Sequence, residues 1–94
     1  MRERDIEKAV CRWAEKNGWL AFKWVSPQNR GVPDRLFIKD GRVVAIEFKA
    51  PGKKPTPSQE LVHDILQDAG LEVYVIDNVE AGRLVLGTVP AERR

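Results

Sequence analysis

Asp40-Gly41 lies between two β-rich runs, Asp34–Lys39 and Arg42–Lys49, and constrains this chain more than any other feature. A two-residue hairpin loop of type I′ needs positive φ at both central positions, which Asp-Gly tolerates well. With Asp40 and Gly41 as the loop, Lys39 faces Arg42 and the numbers of paired residues sum to 81. Asp34 then lies opposite Glu47, and directly opposed residues hold their Cβ atoms roughly 4.5–5.5 Å apart. Alternation puts Lys49 on the face of Glu47 and sends Ile46 and Phe48 to the other. A bulge would shift this register by one residue.

Around the hairpin the pattern predicts helix, strand, hairpin, helix, strand. From Glu3 to Asn17, the residues Ile6, Ala9, Val10, Trp13 and Ala14 follow one helix face, and Gly18 stops it. Trp19–Trp24 is short and aromatic-rich, as expected of a strand partly covered on both faces. Ser26–Pro33, with two prolines and a glycine, reads as a loop. Past the hairpin, Ala50–Pro55 is a second loop. Thr56-Pro57-Ser58-Gln59 then combines an N-cap threonine, a first-turn proline and the glutamine of a capping box. The helix it starts has Leu61, Ile65, Leu66 and Ala69 as its expected apolar face and ends at Gly70. Leu71–Ile76 reads as a buried strand. For Asp77–Arg94 two readings stay open: a short helix capped by Asn78, or an edge strand over Arg83–Leu86.

With 94 residues, 43% of them hydrophobic and 32% charged, residues 1–94 are expected to form a single domain with one core. No apolar run exceeds four residues, far short of the roughly 20 that a membrane helix requires. The expectation is therefore a soluble, intracellular protein without a membrane partner. Lone Cys11 excludes an intrachain disulfide framework, and one histidine adds little capacity for structural zinc. So small a core favours burial of further surface in a homodimer.

The hairpin register creates a chemical problem. Two carboxylates as close as Asp34 and Glu47 repel each other unless a cation lies between them or one is protonated. A salt-bridge cluster with Arg35 or Lys49 is one answer. The other is a divalent ion, because both carboxylates stand where the strands run into the Gly31-Val32-Pro33 and Pro51-Gly52 turns. Oxygen ligands of this kind suit Mg²⁺ or Mn²⁺, which combine one or two carboxylates with water and substrate phosphate. Lys49 beside the ion could position or deprotonate an attacking water.

Pro33-Asp34 followed by Glu47-Phe48-Lys49 resembles the PD-(D/E)XK nuclease motif. Gly31-Val-Pro-Asp-Arg35, Ile46-Glu-Phe-Lys-Ala-Pro-Gly52, Gln59 and Gly70-Leu-Glu-Val-Tyr-Val75 extend the likeness. Together they resemble the virus-type replication-repair nuclease (VRR-NUC) family from about Glu3 to Ile76. Archaeal junction resolvases are similar too, their Glu-Arg start being echoed in Glu3-Arg4. The resemblance implies an α/β, restriction-endonuclease-like core, a central mixed β-sheet flanked by helices in the order αβββαβ. It also implies a small homodimer that cuts branched DNA, notably Holliday junctions, with Mg²⁺ or Mn²⁺.

That family requires a further acidic residue on the first helix. Glu3 falls within the arc of Ile6, Val10 and Ala14, and Glu7 at its edge, so Glu3 is favoured with Glu7 as the alternative. The resemblance also turns Gln59 toward the metal and adds the Phe48 backbone carbonyl to its shell. The expected catalytic set is thus Asp34, Glu47, Lys49, Gln59 and Glu3. Ser26, Asn29 and Arg30 in one loop and Lys53 and Lys54 in the other are candidate phosphate contacts, with plain solvated loops as the alternative. Setting the three acidic ligands aside takes the formal charge from +2 to +5, enough to favour a DNA backbone. His63 is read as a surface or helix-packing residue. Trp13, Trp19 and Trp24 are assigned to the core or a dimer surface. The rival readings are a same-fold nuclease acting on flap, nicked or linear duplex DNA, and a non-catalytic nucleic-acid-binding module.

Overall fold

The structure, a computed structural model, describes residues 1–87; the rest of the ambiguous tail, 88–94, lies outside the described residues. Its elements are α1 (Glu3–Lys16), β1 (Leu20–Lys23), β2 (Arg35–Lys39), β3 (Arg42–Phe48), α2 (Pro57–Asp68), β4 (Glu72–Ile76) and α3 (Val79–Gly87). The expected αβββαβ order is present, followed by a further helix. Asn78 Oδ1 accepts the Ala81 N–H at 2.8 Å and caps α3, so the helical reading of this segment holds and the edge-strand reading does not.

The four strands form one sheet in the order β1-β2-β3-β4. β1, β2 and β3 are antiparallel neighbours, while β3 and β4 run parallel, a pairing that needs a crossover, which α2 supplies. Asp40 and Gly41 adopt φ of 50° and 79°, and Lys39 faces Arg42 with Arg35 opposite Ile46. The register derived from the Asp-Gly turn is therefore the observed one, and no bulge intervenes.

Ile6, Val10 and Ala14 of α1 pack with Phe37, Val44, Ile46, Phe48, Ile76 and Leu86 to form the core. α1 and α3 thus share one face of the sheet and touch closely: a Cβ on Gly82 would come within 2.7 Å of a Val10 methyl. Trp19 is buried and Trp13 packs at the edge of this cluster. At the far end of β3, Arg42 pairs with Glu72 through two short hydrogen bonds of 2.8 and 2.7 Å. Arg42 also lies over the Trp19 ring at 5.8 Å.

The opposite face carries α2, which packs on β4. Here two expectations are corrected. β1 is an edge strand covered on one face only: Ala21 packs against the core on the α1 side, while Leu20 and Phe22 on the other face are 56% and 53% exposed. On α2, Leu61 and Ile65 are 62% and 58% exposed and His63 is buried, so the helix does not dock on its most apolar face. Its rotation is set by its neighbours. Gly31 lies so close under its first turns that a Cβ there would sit 2.6 Å from a Val62 methyl and 2.8 Å from the Ser58 carbonyl oxygen. The 26–33 loop is thereby clamped against the helix that follows the second loop.

Candidate active site

The end of the sheet where β3 leaves the hairpin gathers the polar residues singled out in the sequence. Asp34, directly before β2, accepts the Phe48 backbone N–H on Oδ2 at 2.8 Å. This bond ties the entry of β2 to the exit of β3, as the register requires. Glu47 is only 3% exposed. Its Oε2 accepts from Gln59 Nε2 at 3.1 Å and lies 3.3 Å from Lys49 Nζ, whereas its Oε1 is buried with no hydrogen-bond partner.

Gln59 links strand and helix. Its Oε1 accepts from Lys49 Nζ at 2.9 Å and from the Thr56 backbone N–H at 2.9 Å, while Thr56 Oγ1 accepts the Gln59 N–H at 3.3 Å. The capping box is complete. One side chain therefore completes the helix cap and also holds Lys49 and Glu47.

Electrostatics mark the same pair. Burial pushes the Glu47 carboxyl up to about 7, helped by the negative charge of Asp34 and opposed by Lys49. Burial also raises Asp34, with the Phe48 N–H acting against it and the charges of Glu7 and Glu3 adding to it. Both carboxylates are thus held in a setting that disfavours their ionised forms until a cation approaches.

On α1 the two candidate glutamates differ. Glu7 is engaged with Arg35 at 2.6 Å in a partly buried ion pair. Glu3 is exposed in the first turn, and its charge acts on both Asp34 and Glu47. Among the described residues no group of three or more His, Cys, Asp and Glu side chains is already gathered as a ligand cage. The donor set still fits a hard divalent ion, because a buried oxygen of Glu47 lacks a partner beside a second carboxylate. Mg²⁺ in particular keeps several waters and needs few protein ligands.

No protein-family profile matches the sequence. A phage protein described as "Putative nuclease p44", from Acyrthosiphon pisum secondary endosymbiont phage 1, is 42% identical over 86 residues, which span 90% of this chain and 92% of that protein. A solved structure described as "VRR_NUC domain" superposes with a TM-score of 0.84 at 23% identity, over 94% of this chain and 97% of that one. The chain belongs to the same family as the phage protein and has the VRR-NUC fold. The resemblance read from the motifs thus holds.

In this VRR-NUC chain the two candidate DNA loops lie beside the carboxylates. Asn29 closes the first, its backbone N–H donating to the Ser26 carbonyl at 3.1 Å and its Nδ2 to Ser26 Oγ at 3.2 Å. Arg30, Lys53 and Lys54 are exposed. The second loop is anchored where Gly52 donates its N–H to Asp77 Oδ2 at 3.0 Å. Sequence reasoning missed two features. The Glu7–Arg35 pair joins residues remote in the chain, so no local pattern signals it. The burial of His63 bears out its reading as a packing residue, but its unpartnered Nε2 had no signal beyond its position one turn after Gln59.

Proposed function

We propose that this protein is a metal-dependent nuclease that hydrolyses phosphodiester bonds in branched DNA. The observation that carries the reading is Glu47, whose Oε2 is held by Gln59 and Lys49 while its Oε1 is left buried and unpartnered next to Asp34. The relative described as a nuclease and the VRR-NUC fold support the same reaction class.

Asp34, Glu47 and the Phe48 carbonyl, with Glu3 directly or through water, would hold Mg²⁺ or Mn²⁺. When bound, the ion supplies charge stabilisation at the phosphate and a more acidic water. Lys49, fixed by Gln59 and Glu47, points its ammonium into this setting, where it orients a water and offsets charge on the phosphorane-like transition state. Gln59 holds both partners in register. Ser26, Asn29 and Arg30 on one side and Lys53 and Lys54 on the other contact backbone phosphates. Glu7 pairs with Arg35 and so pins α1 to the start of β2.

The branched substrate, Holliday junctions foremost, is supported by the family resemblance, as is a homodimer of a single-domain chain acting on DNA inside the cell. Paired incisions across a junction need two sites related by a two-fold axis, and each chain offers one. The sheet face bearing exposed Leu20, Phe22 and Val43 is apolar surface suited to a second copy. Among the described residues no helix is long and apolar enough to cross a membrane.

The test is cleavage of labelled four-way junction, flap and linear duplex with Mg²⁺, Mn²⁺ or EDTA. Metal-dependent junction cutting that is lost in Asp34→Asn is expected. Equal cutting of all substrates would replace the branched specificity with a general nuclease, and no cutting by folded protein would overturn the reading.

A further inference from the structure

Behind the candidate active site, between the 50–55 loop, α2 and β4, lies an open cavity of about 420 Å³. Pro55 and Val75 give it apolar walls, and Val75 is 40% exposed there. Lys53 and Lys54 border it on one side, Glu60 and Asp64 on the other. His63 lines it as well, 95% withdrawn from solvent as a residue, with an Nε2 that no protein group satisfies. A buried ring nitrogen without a partner costs free energy, and a ligand that completes the bond recovers it.

The lining restricts the ligand's chemistry. Two cations and two anions balance, so the cavity offers a phosphate no net attraction; the lysines are free to meet backbone phosphates at the rim. Burial pushes the His63 imidazole down against the opposing charge of Asp64, with Lys49 adding to the shift and Glu60 opposing it, which favours the neutral ring, able to donate at one nitrogen and accept at the other. An uncharged, flat group with apolar faces and a hydrogen-bonding edge meets all three conditions. A nucleobase is such a group. The cavity also lies close to the site: His63 is four residues, about 6 Å of helix rise, beyond Gln59, which is hydrogen-bonded to both Glu47 and Lys49.

We propose that this cavity receives an unpaired nucleobase adjoining the cut phosphate, which makes the protein favour DNA with a branch or flap over continuous duplex. The inference rests on the nuclease reading and deepens it by naming what the site recognises. In continuous duplex a base must be unpaired and unstacked before it can enter, whereas at a branch that cost is small or already met.

The test uses the wild-type protein with Mg²⁺ and a series of four-way junctions and flaps, each with one abasic nucleotide at a successive position around the branch. One position is expected to be sensitive, kcat/KM falling about tenfold there and little elsewhere. In His63→Phe, which keeps the ring volume, the intact substrate should be cut only as well as the abasic one, with no further loss on removing the base. Cleavage indifferent to every abasic position would overturn the proposal, as would an unchanged positional effect in folded His63→Phe. If no DNA were cut at all, the nuclease reading itself would fail. The same abasic series, end-labelled and read by fluorescence anisotropy of binding, would then decide the pocket separately: one abasic position should weaken binding to the wild type and not to His63→Phe, and binding indifferent to every position would overturn the proposal.

Discussion

Lys49 Nζ donates to the Gln59 carboxamide oxygen at 2.9 Å, and that same oxygen accepts the Thr56 N–H that opens α2. The site lysine and the start of a helix are therefore held by one atom. Gln59→Ala should lower stability by about 1 kcal/mol through the broken cap and also lower cleavage by about a hundredfold. Thr56→Ala should cost similar stability with a much smaller loss of cleavage. Chemical denaturation and single-turnover kinetics on both variants separate the two roles; equal kinetic losses would assign Gln59 to the cap alone.

Metal binding should stabilise the fold through Asp34 and Glu47. At 100 times the dissociation constant, Mg²⁺ or Mn²⁺ is expected to add about 2.7 kcal/mol, on the order of 10 °C or more for a chain of this size. EDTA should reverse the gain and abolish cutting. Asp34→Asn should erase both effects. Lys49→Ala should keep the thermal shift and lose cleavage by roughly two to four orders of magnitude. Thermal unfolding with and without metal is the measurement.

The raised carboxyls give the metal-free protein an unusual pH dependence. Glu47 is pushed up to about 7 from an ordinary 4.5, so between those values the folded state holds a proton that the unfolded state has released. Stability from this group is greatest below about 4.5 and falls as pH rises toward and past 7. Asp34 is shifted in the same direction and adds to the trend. Urea midpoints of the metal-free protein at pH 5.5 and 8 should show the higher value at pH 5.5, with a smaller difference in Glu47→Gln. Added metal favours the ionised carboxylates and should flatten or reverse the slope.

Gly31 is demanded by space and not by its dihedral angles. A methyl group there would meet the Ser58 carbonyl at 2.8 Å as well as Val62 at 2.6 Å, and the backbone oxygen cannot swing away as a side chain can. Gly31→Ala should cost roughly 1–3 kcal/mol and weaken DNA binding, because the loop bearing Ser26, Asn29 and Arg30 loses its seat on α2. Urea denaturation and anisotropy titration on the same preparation test both effects.

Much of the architecture is legible in the amino-acid sequence. Asp40-Gly41 dictated the hairpin, and the register that followed placed Asp34 opposite Glu47 and Lys49 beside it. Thr56 to Gln59 announced the start of α2, and the Ile6, Val10, Ala14 stripe announced the buried face of α1. Each of these signals lies within a few residues of the structure it specifies, where turn dihedrals, caps and side-chain periodicity act directly on the backbone.

The tertiary structure alone decided what depends on partners far along the chain. α2 turns His63 inward and leaves Leu61 and Ile65 exposed, because Gly31 seats Val62 and Gln59 reaches to Lys49 and Glu47. Glu7 is engaged by Arg35, and Glu3 is left with its charge acting on both carboxylates. β1 is an edge strand with α1 against its Ala21 face and its Leu20 and Phe22 face left open. An amphipathic pattern states which side of a helix is apolar, but the face that docks is chosen by the sum of contacts with segments tens of residues away, and those contacts exist only once the chain has folded.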